Sequence, residues 1–275
     1  MNPYDLVVSD WDFTLCNFPG VELGARTKQV LAEVQERGVQ IVLASGRPTP
    51  GLVGLLRFNE IDLSNLHIVG FNGGTVSHAA DPHHNLFFRS LDPVAVRAAI
   101  QQADELGLEL IVPTPHGIYT SRPNGFITMI EAATADVPAI PLEEWDPEVA
   151  PAMKVEFHLQ DYKSDDIIPR IDKAIRAAGS AATLSLAGMS LLEVNAAGVN
   201  KGTTLEWVYD HLGVASERVL AFGDNHNDME MLRQAGMGMA VGNAVPELKA
   251  VADKVIGDVE TEAVAAEISE IFGID

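Results

Sequence analysis

The sequence predicts an α/β fold, in which a doubly wound, mainly parallel, Rossmann-like sheet carries a second, inserted α/β block. Short apolar runs alternate with segments of helical periodicity over most of the 275 residues, the pattern of strand–helix–strand units. Polar and glycine-containing clusters directly follow several of these runs. The pattern changes in the middle of the chain, over a stretch far too long to be a loop. An apolar fraction of 47% is enough for a packed core in each part.

The N-terminal third contains three predicted buried strands, at residues 5–9, 39–44 and 66–71. Residues 24–37 have the apolar spacing of a helix, and Gly38 is a suitable residue to end it. These elements are predicted to form the first part of a core domain.

Residues 82–188 are predicted to be an inserted α/β cap domain with elements of its own. Its predicted strands are at 86–91, 108–112, 118–120, 153–159 and 183–186, and its predicted helices are at 92–107 and 167–178. No element is predicted between 123 and 151. The doubly wound pattern resumes at 191–194 and continues through strands at 219–222, 238–241 and 254–256. The core domain is therefore predicted to comprise residues 1–81 and 189–275.

Charge and cysteine content narrow the classes of partner and compartment. The formal net charge of −21, without a cluster of Lys or Arg, disfavours nucleic acid and anionic membranes as partners. An anionic substrate would then need local positive charge, from a metal ion and a well-placed Lys or Arg. The single cysteine, Cys16, suits a reducing compartment. With no signal peptide or membrane-length apolar run recognised, we expect a cytoplasmic protein.

Asp10 and Asp12 directly follow the first predicted strand. In an extended chain, positions i and i+2 face the same side, so the two carboxylates repel one another unless a cation separates them or one is protonated. A carboxylate that binds Mg²⁺ stays ionised and can attack phosphorus, and a neighbour that keeps its proton can act as general acid and base. We therefore predict Asp10 as the nucleophile and Asp12 as the acid/base. An ordinary surface Asp-x-Asp triplet is the alternative.

Two further clusters contain groups that suit a phosphate. Ser45 and Gly46 lie between a strand and a predicted helix, where a hydroxyl, a close backbone approach and a helix N-terminus favour an anion. An ordinary helix N-cap would use a serine in the same way. Lys201 precedes another predicted helix and can contact a phosphoryl oxygen as a point charge. A solvated lysine is the alternative, although the helix dipole slightly disfavours a cation at that end.

The sequence Gly223-Asp224-Asn225-His226-Asn227-Asp228 places two carboxylates and two amides in one strand-to-helix turn. Asp224 can bind Mg²⁺ directly, Asp228 can hold a metal-bound water, and Asn227 can donate to the substrate or to that water. An Asp- and Asn-rich capped turn is the alternative.

Three of these side chains are predicted to converge. Ligands of open α/β sheets bind at the carboxyl ends of the strands, and Asp10, Ser45 and Asp224 each follow an apolar run directly. If the three strands are parallel and adjacent, the side chains share one cleft. The sequence therefore predicts a magnesium site and a phosphate site together, in an enzyme that moves a phosphoryl group through an aspartyl-phosphate.

In this order, the motifs resemble those of the haloacid dehalogenase superfamily of phosphatases, and in particular its Cof-type branch, which has a large α/β cap between the second and third motifs. Asp10 to Thr14 is similar to the first motif, Ser45 to the second, Lys201 to the third, and Gly223 to Asp228 to the fourth. Asn72-Gly73-Gly74 is similar to the turn before the cap. The resemblance spans the whole chain.

The resemblance implies a Mg²⁺-dependent hydrolase of small phosphomonoesters, such as sugar phosphates, with a phosphorylated Asp10 as intermediate. It implies that Mg²⁺ is bound by the Asp10 carboxylate, the Asp12 backbone carbonyl and Asp224, with support from Asp228. It also implies that Thr14, Ser45, Lys201 and Asn227 hold the phosphate. Gly46 joins this set because its backbone can approach an anion closely.

Two features of the sequence concern substrate specificity: the predicted cap, and a residue of the first motif that differs from the commonest one. The cap would select the leaving group, and Lys154, Arg122 and His116 are predicted from position alone as its polar contacts. Phe13 occupies a position where glycine is commonest in the first motif, and a backbone with positive φ there would be strained by a Phe side chain.

Two alternative functions remain open. Sugar phosphomutases and other phosphotransferases share this core and a similar cap, and transfer to a second sugar, as against release of inorganic phosphate, would identify them. A non-catalytic phosphate or metabolite sensor, in which Phe13 blocks turnover, would bind ligand tightly without turning it over.

Overall fold

The computed structural model describes residues 2–17, 20–135, 137–159, 164–187 and 191–274. In these residues the strands are, in chain order, β1 (Leu6–Ser9), β2 (Gln40–Ala44), β3 (Leu66–Gly70), β4 (Thr75–His78), β5 (Asn85–Phe88), β6 (Glu109–Thr114), β7 (Gly117–Thr120), β8 (Ala139–Pro141), β9 (Lys154–His158), β10 (Thr183–Ala187), β11 (Leu191–Asn195), β12 (Val219–Gly223), β13 (Met237–Ala240) and β14 (Lys254–Val255).

The helices of the same residues alternate with these strands. They are α1 (Ala25–Glu36), α2 (Thr49–Phe58), α3 (Pro93–Leu106), α4 (Phe126–Ala135), α5 (Ser164–Ala177), α6 (Lys201–Leu212), α7 (Met229–Gln234), α8 (Pro246–Lys249) and α9 (Ala263–Phe272). Short 3₁₀ turns are at Phe71–Gly73, Leu142–Glu144, Ser216–Arg218, His226–Asp228 and Val259–Thr261. No helix within the described ranges is long and apolar enough to cross a membrane.

The chain divides into two compact units, Met1–Phe87 with Asn200–Asp275, and Phe88–Val199. The first unit is built on an eight-stranded sheet of order β14-β13-β12-β1-β2-β3-β4-β5. Neighbouring strands are parallel from β14 through β3, and β4 pairs antiparallel with β3. This confirms the predicted α/β fold with a mainly parallel core sheet. The strand order reverses at β1, the position in such sheets where ligands bind.

The central strands of this sheet are buried throughout, because they consist of β-branched and other apolar residues with no polar alternation. β1 has the sequence Leu-Val-Val-Ser, and all four of its residues are buried. Such runs suit a strand covered on both faces, and the first polar side chain that can leave the core is the one after the strand ends.

The second unit contains a six-stranded sheet of order β10-β11-β9-β6-β7-β8, whose neighbours are antiparallel except for β7 and β8. Its strands alternate in polarity. On β9, Val155 and Phe157 belong to an apolar core that includes residues of α3 and α5, whereas Lys154 and Glu156 lie on the opposite face.

Two predicted elements belong to a different sheet from the one expected: residues 191–194, which were assigned to the core, and residues 86–91, which were assigned to the cap. Residues 191–194 were predicted to resume the core sheet, but Leu191–Asn195 pairs antiparallel with β9 and β10 in the second unit. Leu192 and Val194 are buried in the core of that unit, which explains the placement. At the other boundary, Asn85–Phe88 is the edge strand of the first sheet.

The second unit therefore spans Phe88–Val199, where the sequence predicted an insertion over 82–188. The stretch 123–151, to which no element was assigned, contains α4 and β8.

Candidate functional site

The site is assembled at the carboxyl ends of three adjacent parallel strands. Asp10 follows β1, Ser45 follows β2, and Asp224 follows β12. The register pairs Ser9 with Phe222 on one side and with Leu43 on the other, so the strands end at the same edge of the sheet. All three residues are buried. Their position agrees with the rule that ligands of open α/β sheets bind at the carboxyl ends of the strands, called the strand-end rule below.

Lys201 is the first residue of α6, and its side chain extends into this strand edge. Its Nζ lies 2.7 Å from Asp10 Oδ1 and 2.7 Å from Asp228 Oδ1, and the residue is 1% exposed. Asn200 caps the helix by accepting from the Thr203 N–H at 2.9 Å. The lysine at this helix start is therefore a buried bridge between two carboxylates, and not a solvated side chain.

Asp228 is wholly buried and is fixed by the turn that contains it. Its Oδ2 accepts from the backbone N–H groups of Asp224 at 3.0 Å and of Asn225 at 3.1 Å. A Cβ atom on Gly223 would lie 2.5 Å from the Asp228 Cβ, so only glycine fits at the end of β12. The turn closes tightly enough to direct the other carboxylate oxygen of Asp228 to Lys201.

Thr14 joins the two carboxylates that follow β1 and β12. Its Oγ1 lies 3.4 Å from Asp10 Oδ2 and 3.4 Å from Asp224 Oδ1. Asp10, Asp224 and Asp228 each offer an oxygen within 4.8 Å of those of the other two, and within the described residues they form the group of carboxylates that could hold a metal ion.

The charges of this cluster are unbalanced. Burial, together with the nearby carboxylates of Asp228, Asp224 and Asp12, raises the pKa of Asp10 well above its ordinary value against the opposing effect of Lys201. Burial and the charge of Asp228 raise the pKa of Asp224 to about 7. Burial alone would lower the pKa of Lys201, but Asp10 and Asp228 raise it above its ordinary value.

Three buried carboxylates with one lysine leave an excess of negative charge that a divalent cation would neutralise. The donor set consists of carboxylate oxygens, which are the ligands that Mg²⁺ prefers. The residues present therefore fit the ion that the sequence predicted.

Asp12 has a partner that the sequence did not assign to it. Arg47 binds it in a bidentate ion pair, with Nε at 2.7 Å from Asp12 Oδ2 and Nη2 at 2.6 Å from Asp12 Oδ1. The expectation was that a cation between Asp10 and Asp12, or protonation of one of them, would relieve the repulsion of the two carboxylates. Instead, Lys201 contacts Asp10 and a separate guanidinium contacts Asp12, because Arg47 comes from the segment that follows the neighbouring strand β2.

Ser45 and Asn227 form a second group at the same carboxyl edge of the core sheet. Ser45 Oγ accepts from the Arg47 N–H at 3.1 Å, and α2 begins only at Thr49, so Ser45 is not its N-cap. Asn227 Nδ2 donates to Asn72 Oδ1 at 3.1 Å. A Cβ on Gly46 would lie 3.2 Å from that same Asn72 oxygen. Ser45, Gly46 and Asn227 are thus grouped around Asn72, beside the carboxylates.

Asn72 lies in the site but was not predicted as a site residue. It was recognised as part of a turn, although it comes shortly after β3 in the same way that Asp10 follows β1. Applying the strand-end rule to β3 would have identified it. No signal in a single sequence specifies that Arg47 binds Asp12.

The backbone of Phe13 has a positive φ of 60°, the conformation in which a Phe side chain was expected to be strained. Asn243 Nδ2 donates to its carbonyl at 2.8 Å, and its own N–H donates to Cys16 O at 2.7 Å. Its side chain is 41% exposed.

The residues predicted as cap contacts have different environments. Lys154 is buried between Glu156 and Glu193, whose Oε1 lies 2.8 Å from Lys154 Nζ. Arg122 is exposed and donates from Nη2 to Gly107 O at 2.5 Å. His116 is exposed. The positive charge of Lys154 is therefore already matched by carboxylates of its own sheet.

Comparison with known proteins places this geometry in a family. A sequence model of the haloacid dehalogenase-like hydrolases matches residues 7–268. The chain is 29% identical to the HMP-PP phosphatase of Citrobacter koseri, over 94% of this chain and 93% of that protein. It is 25% identical to the 5-amino-6-(5-phospho-D-ribitylamino)uracil phosphatase YitU of Bacillus subtilis, over 99% and 98% of the two chains.

Solved structures agree. A haloacid dehalogenase-like hydrolase from Bacteroides thetaiotaomicron superposes with a TM-score of 0.84 at 27% identity, over 98% of this chain and all of that one. The family match covers nearly the whole sequence and includes every residue of the strand-end cluster. The chain therefore belongs to the haloacid dehalogenase-like hydrolase family, as a member of its phosphatase group.

Proposed function

We propose that this protein is a Mg²⁺-dependent hydrolase of small phosphomonoesters that works through a phosphorylated Asp10. The observation that carries the proposal is the buried cluster at the strand ends, in which Lys201 bridges Asp10 and Asp228 while Thr14 joins Asp10 to Asp224. A nucleophilic carboxylate, a fixed cation and two further carboxylates for a metal are what phosphoryl transfer to an aspartate requires.

In the first step, a carboxylate oxygen of Asp10 attacks phosphorus and the bond from phosphorus to the leaving oxygen breaks. Asp12 must be protonated to act as the acid, so one of its two bonds to Arg47 opens: the freed oxygen carries the proton to the leaving oxygen while Arg47 still holds the other oxygen. In the second step, Asp12 takes a proton from water and is again protonated, the water oxygen attacks the phosphorus of phospho-Asp10, the bond from phosphorus to the Asp10 oxygen breaks, and inorganic phosphate leaves.

The anionic nucleophile and the anionic phosphoryl group need positive charge between them. Lys201 provides one fixed charge at no reorganisation cost, because two carboxylates already hold its ammonium group in place. Mg²⁺, held by Asp10, Asp224 and the Asp12 carbonyl with Asp228 in support, would add charge neutralisation at the phosphoryl oxygens.

We assign the phosphate itself to Thr14, Ser45, Gly46, Lys201 and Asn227. The grouping of Ser45, Gly46 and Asn227 around Asn72 supports this assignment, since it presents a hydroxyl, a glycine backbone and an amide beside Asp10. Residues of the second unit, Phe88–Val199, would select the leaving group as a cap. The named relatives act on phosphorylated metabolites, which supports a small sugar phosphate or similar compound as substrate.

The net charge of −21 supports a small-molecule substrate and disfavours nucleic acid. The single cysteine, buried in the structure, is consistent with a cytoplasmic enzyme.

The test is Asp10→Asn, which keeps the shape of the side chain and removes the nucleophile. We expect inorganic phosphate release from a generic aryl phosphate with Mg²⁺ to fall by about 10³-fold or more. Asp62→Asn, at an exposed aspartate bonded to Ser64, is the matched control and should retain wild-type turnover. Retained activity in Asp10→Asn contradicts the proposal, and transfer of phosphate to an added sugar in place of its release assigns the protein to the phosphotransferases.

A further inference from the structure

Phe13 adopts a backbone conformation that its side chain disfavours. Its φ of 60° lies in the left-handed region, which glycine and, less readily, asparagine occupy. In the described residues a few other non-glycine positions share this feature, and one of them is Asn72. A bulky aromatic residue there is strained, and strained conformations concentrate at functional sites.

The turn that contains Phe13 gives its backbone no freedom to relax. The Phe13 N–H donates to Cys16 O at 2.7 Å, and the N–H groups of Leu15 and Cys16 both donate to Trp11 O, at 3.1 and 2.9 Å. Asn243 holds the Phe13 carbonyl from another segment. Side-chain burial does not explain the conformation either, since Trp11 in the same turn is wholly buried while Phe13 is 41% exposed.

Phe13 also differs from its neighbours in the site by presenting an exposed apolar side chain. It stands between Asp12, the proposed proton donor to the leaving group, and Thr14, which contacts Asp10 and Asp224. Within residues 10–16, 45–49, 71–74, 200–202 and 223–228, all of which the structure describes, it is the one large apolar side chain with substantial exposure. A glycine would fit the backbone of this turn with less strain.

We propose that the Phe13 ring is a specificity-determining surface that contacts the leaving group, and that the leaving group carries a planar aromatic or heteroaromatic ring. The proton donor and the leaving oxygen must meet during the reaction, and Phe13 adjoins that donor in the chain, with its carbonyl held by Asn243 from the segment that follows β13. Aromatic rings gain more from a planar ring stacked or edge-on than from a saturated group of equal size. This inference rests on the proposed phosphatase function and names the substrate class of that same site.

The test compares benzyl phosphate with cyclohexylmethyl phosphate. Both have alkyl leaving groups of similar size, and they differ in the planarity and π-system of the ring. We expect wild type to favour the benzyl ester in kcat/KM by about fivefold, the magnitude of one aromatic contact. Phe13→Leu keeps apolar bulk without a π-face and should bring the two esters within about twofold, chiefly by raising KM for the benzyl ester.

Three further variants complete the series. Phe13→Asn suits the left-handed backbone and should lose the preference in the same way, so the result does not depend on whether the Leu variant folds well. Phe13→Trp retains an aromatic face and should keep the preference. Phe58→Leu is the matched control, at an exposed phenylalanine that ends α2, about 15 Å along the helix from its start.

The outcomes separate this inference from the function on which it rests. If wild type releases phosphate from both esters without favouring benzyl, or if Phe13→Leu and Phe13→Asn keep the full preference, the assignment of Phe13 is wrong while the phosphatase stands. If wild type releases no phosphate from either ester, nor from a generic aryl phosphate, with Mg²⁺ present, then the phosphatase function itself fails.

Discussion

Among the residues that the structure describes, two buried lysines are held by carboxylates, one in each unit, and they differ in what surrounds them. Lys201 lies between Asp10 and Asp228 in the first unit. Lys154 lies between Glu156 and Glu193 in the second. The ion-pair chemistry of the two is nearly the same.

The backbones that present these clusters are different. The groups around Lys201 come after strands, in turns and at a helix start, so they converge from several directions on one point. The groups around Lys154 lie within paired strands, on one face of an antiparallel sheet, where Glu193 is directly opposite Glu156. Side chains on a sheet face run parallel to one another and make pairs, whereas side chains at strand ends can surround a ligand.

The comparison teaches that a buried lysine with carboxylate partners does not by itself indicate a catalytic site. Asp224 supplies the third carboxylate that makes the first cluster suitable for a metal ion, and within the described residues no such third ligand joins Glu156 and Glu193. The first cluster is therefore expected to respond to Mg²⁺ and to carry activity, and the second to act on stability.

The largest expected effect is on stability, in Lys154→Met. Removing the lysine leaves Glu156 and Glu193 buried without their cation, which should lower the free energy of unfolding of the second unit by about 3–5 kcal/mol. Calorimetry would show this as an earlier transition that Mg²⁺ does not restore. Lys173→Met, at an exposed lysine of α5 in the same unit, should change little. A Lys154→Met protein as stable as wild type would contradict the expectation that the second cluster acts on stability.

Lys201→Met should act on catalysis. Loss of the fixed charge beside Asp10 should reduce kcat by about 10²–10³-fold, or about 3–4 kcal/mol of barrier, in phosphate-release assays. Its stability should recover in part with Mg²⁺, because the ion can neutralise the carboxylates that the lysine leaves behind. Lys28→Met, at a surface lysine near Glu22, is the control. Near-normal kcat in Lys201→Met would remove the functional difference between the two clusters.

Mg²⁺ should stabilise the wild type through the first cluster. At a concentration of 100 times its Kd, the ion should add about 2.7 kcal/mol to the free energy of unfolding, measured in denaturant with Mg²⁺ or with a chelator. Asp224→Asn should abolish most of this increment, because it removes a ligand from the buried trio. Glu193→Gln should retain the increment, whatever its own stability. Equal losses in both variants would contradict the assignment of the metal to the first cluster.

The smallest effect, taken per pH unit, is on the pH dependence of stability. Burial and the charges of Glu131 and Glu193 raise the pKa of Glu156 to about 8, against the opposing charge of Lys154. The unfolded chain releases this proton near pH 4.3, so between about pH 4.3 and 8 the folded state binds more protons and its stability falls as pH rises, by up to about 1.4 kcal/mol per pH unit.

Glu156→Gln cannot release a proton in either state, so it should flatten this slope: its stability should match that of wild type near pH 4 and exceed it at neutral pH. Urea denaturation at several pH values measures both quantities. An unchanged slope would show that Glu156 is already ionised in the folded protein.

Much of the site could be predicted from local sequence because its residues follow strands. Asp10, Ser45 and Asp224 were assigned to one cleft from apolar runs alone, and the structure places them at one edge of the sheet. The bidentate pair of Asp12 with Arg47 was not predicted, because two segments 35 residues apart must be placed side by side before their charges can be matched.

The same limit applies to the boundary of the second unit. Leu191–Asn195 is an apolar run that suits either sheet, and only its hydrogen-bonded neighbours, β9 and β10, show which sheet it joins. Lys154 was predicted to contact substrate, but its partners are two glutamates that alternate with apolar residues on their own strands.

The sequence by itself determined the α/β class, the parallel core and which polar residues follow the strands as candidate reactive groups, because apolar periodicity and the residue that follows each strand are local properties of the chain. The tertiary structure decided which charge each carboxylate meets, which sheet each ambiguous strand enters, and that Phe13 holds a left-handed conformation in a site of charged groups. Those outcomes depend on distances between segments far apart in sequence, where Coulomb energy and close packing act only after the chain has folded.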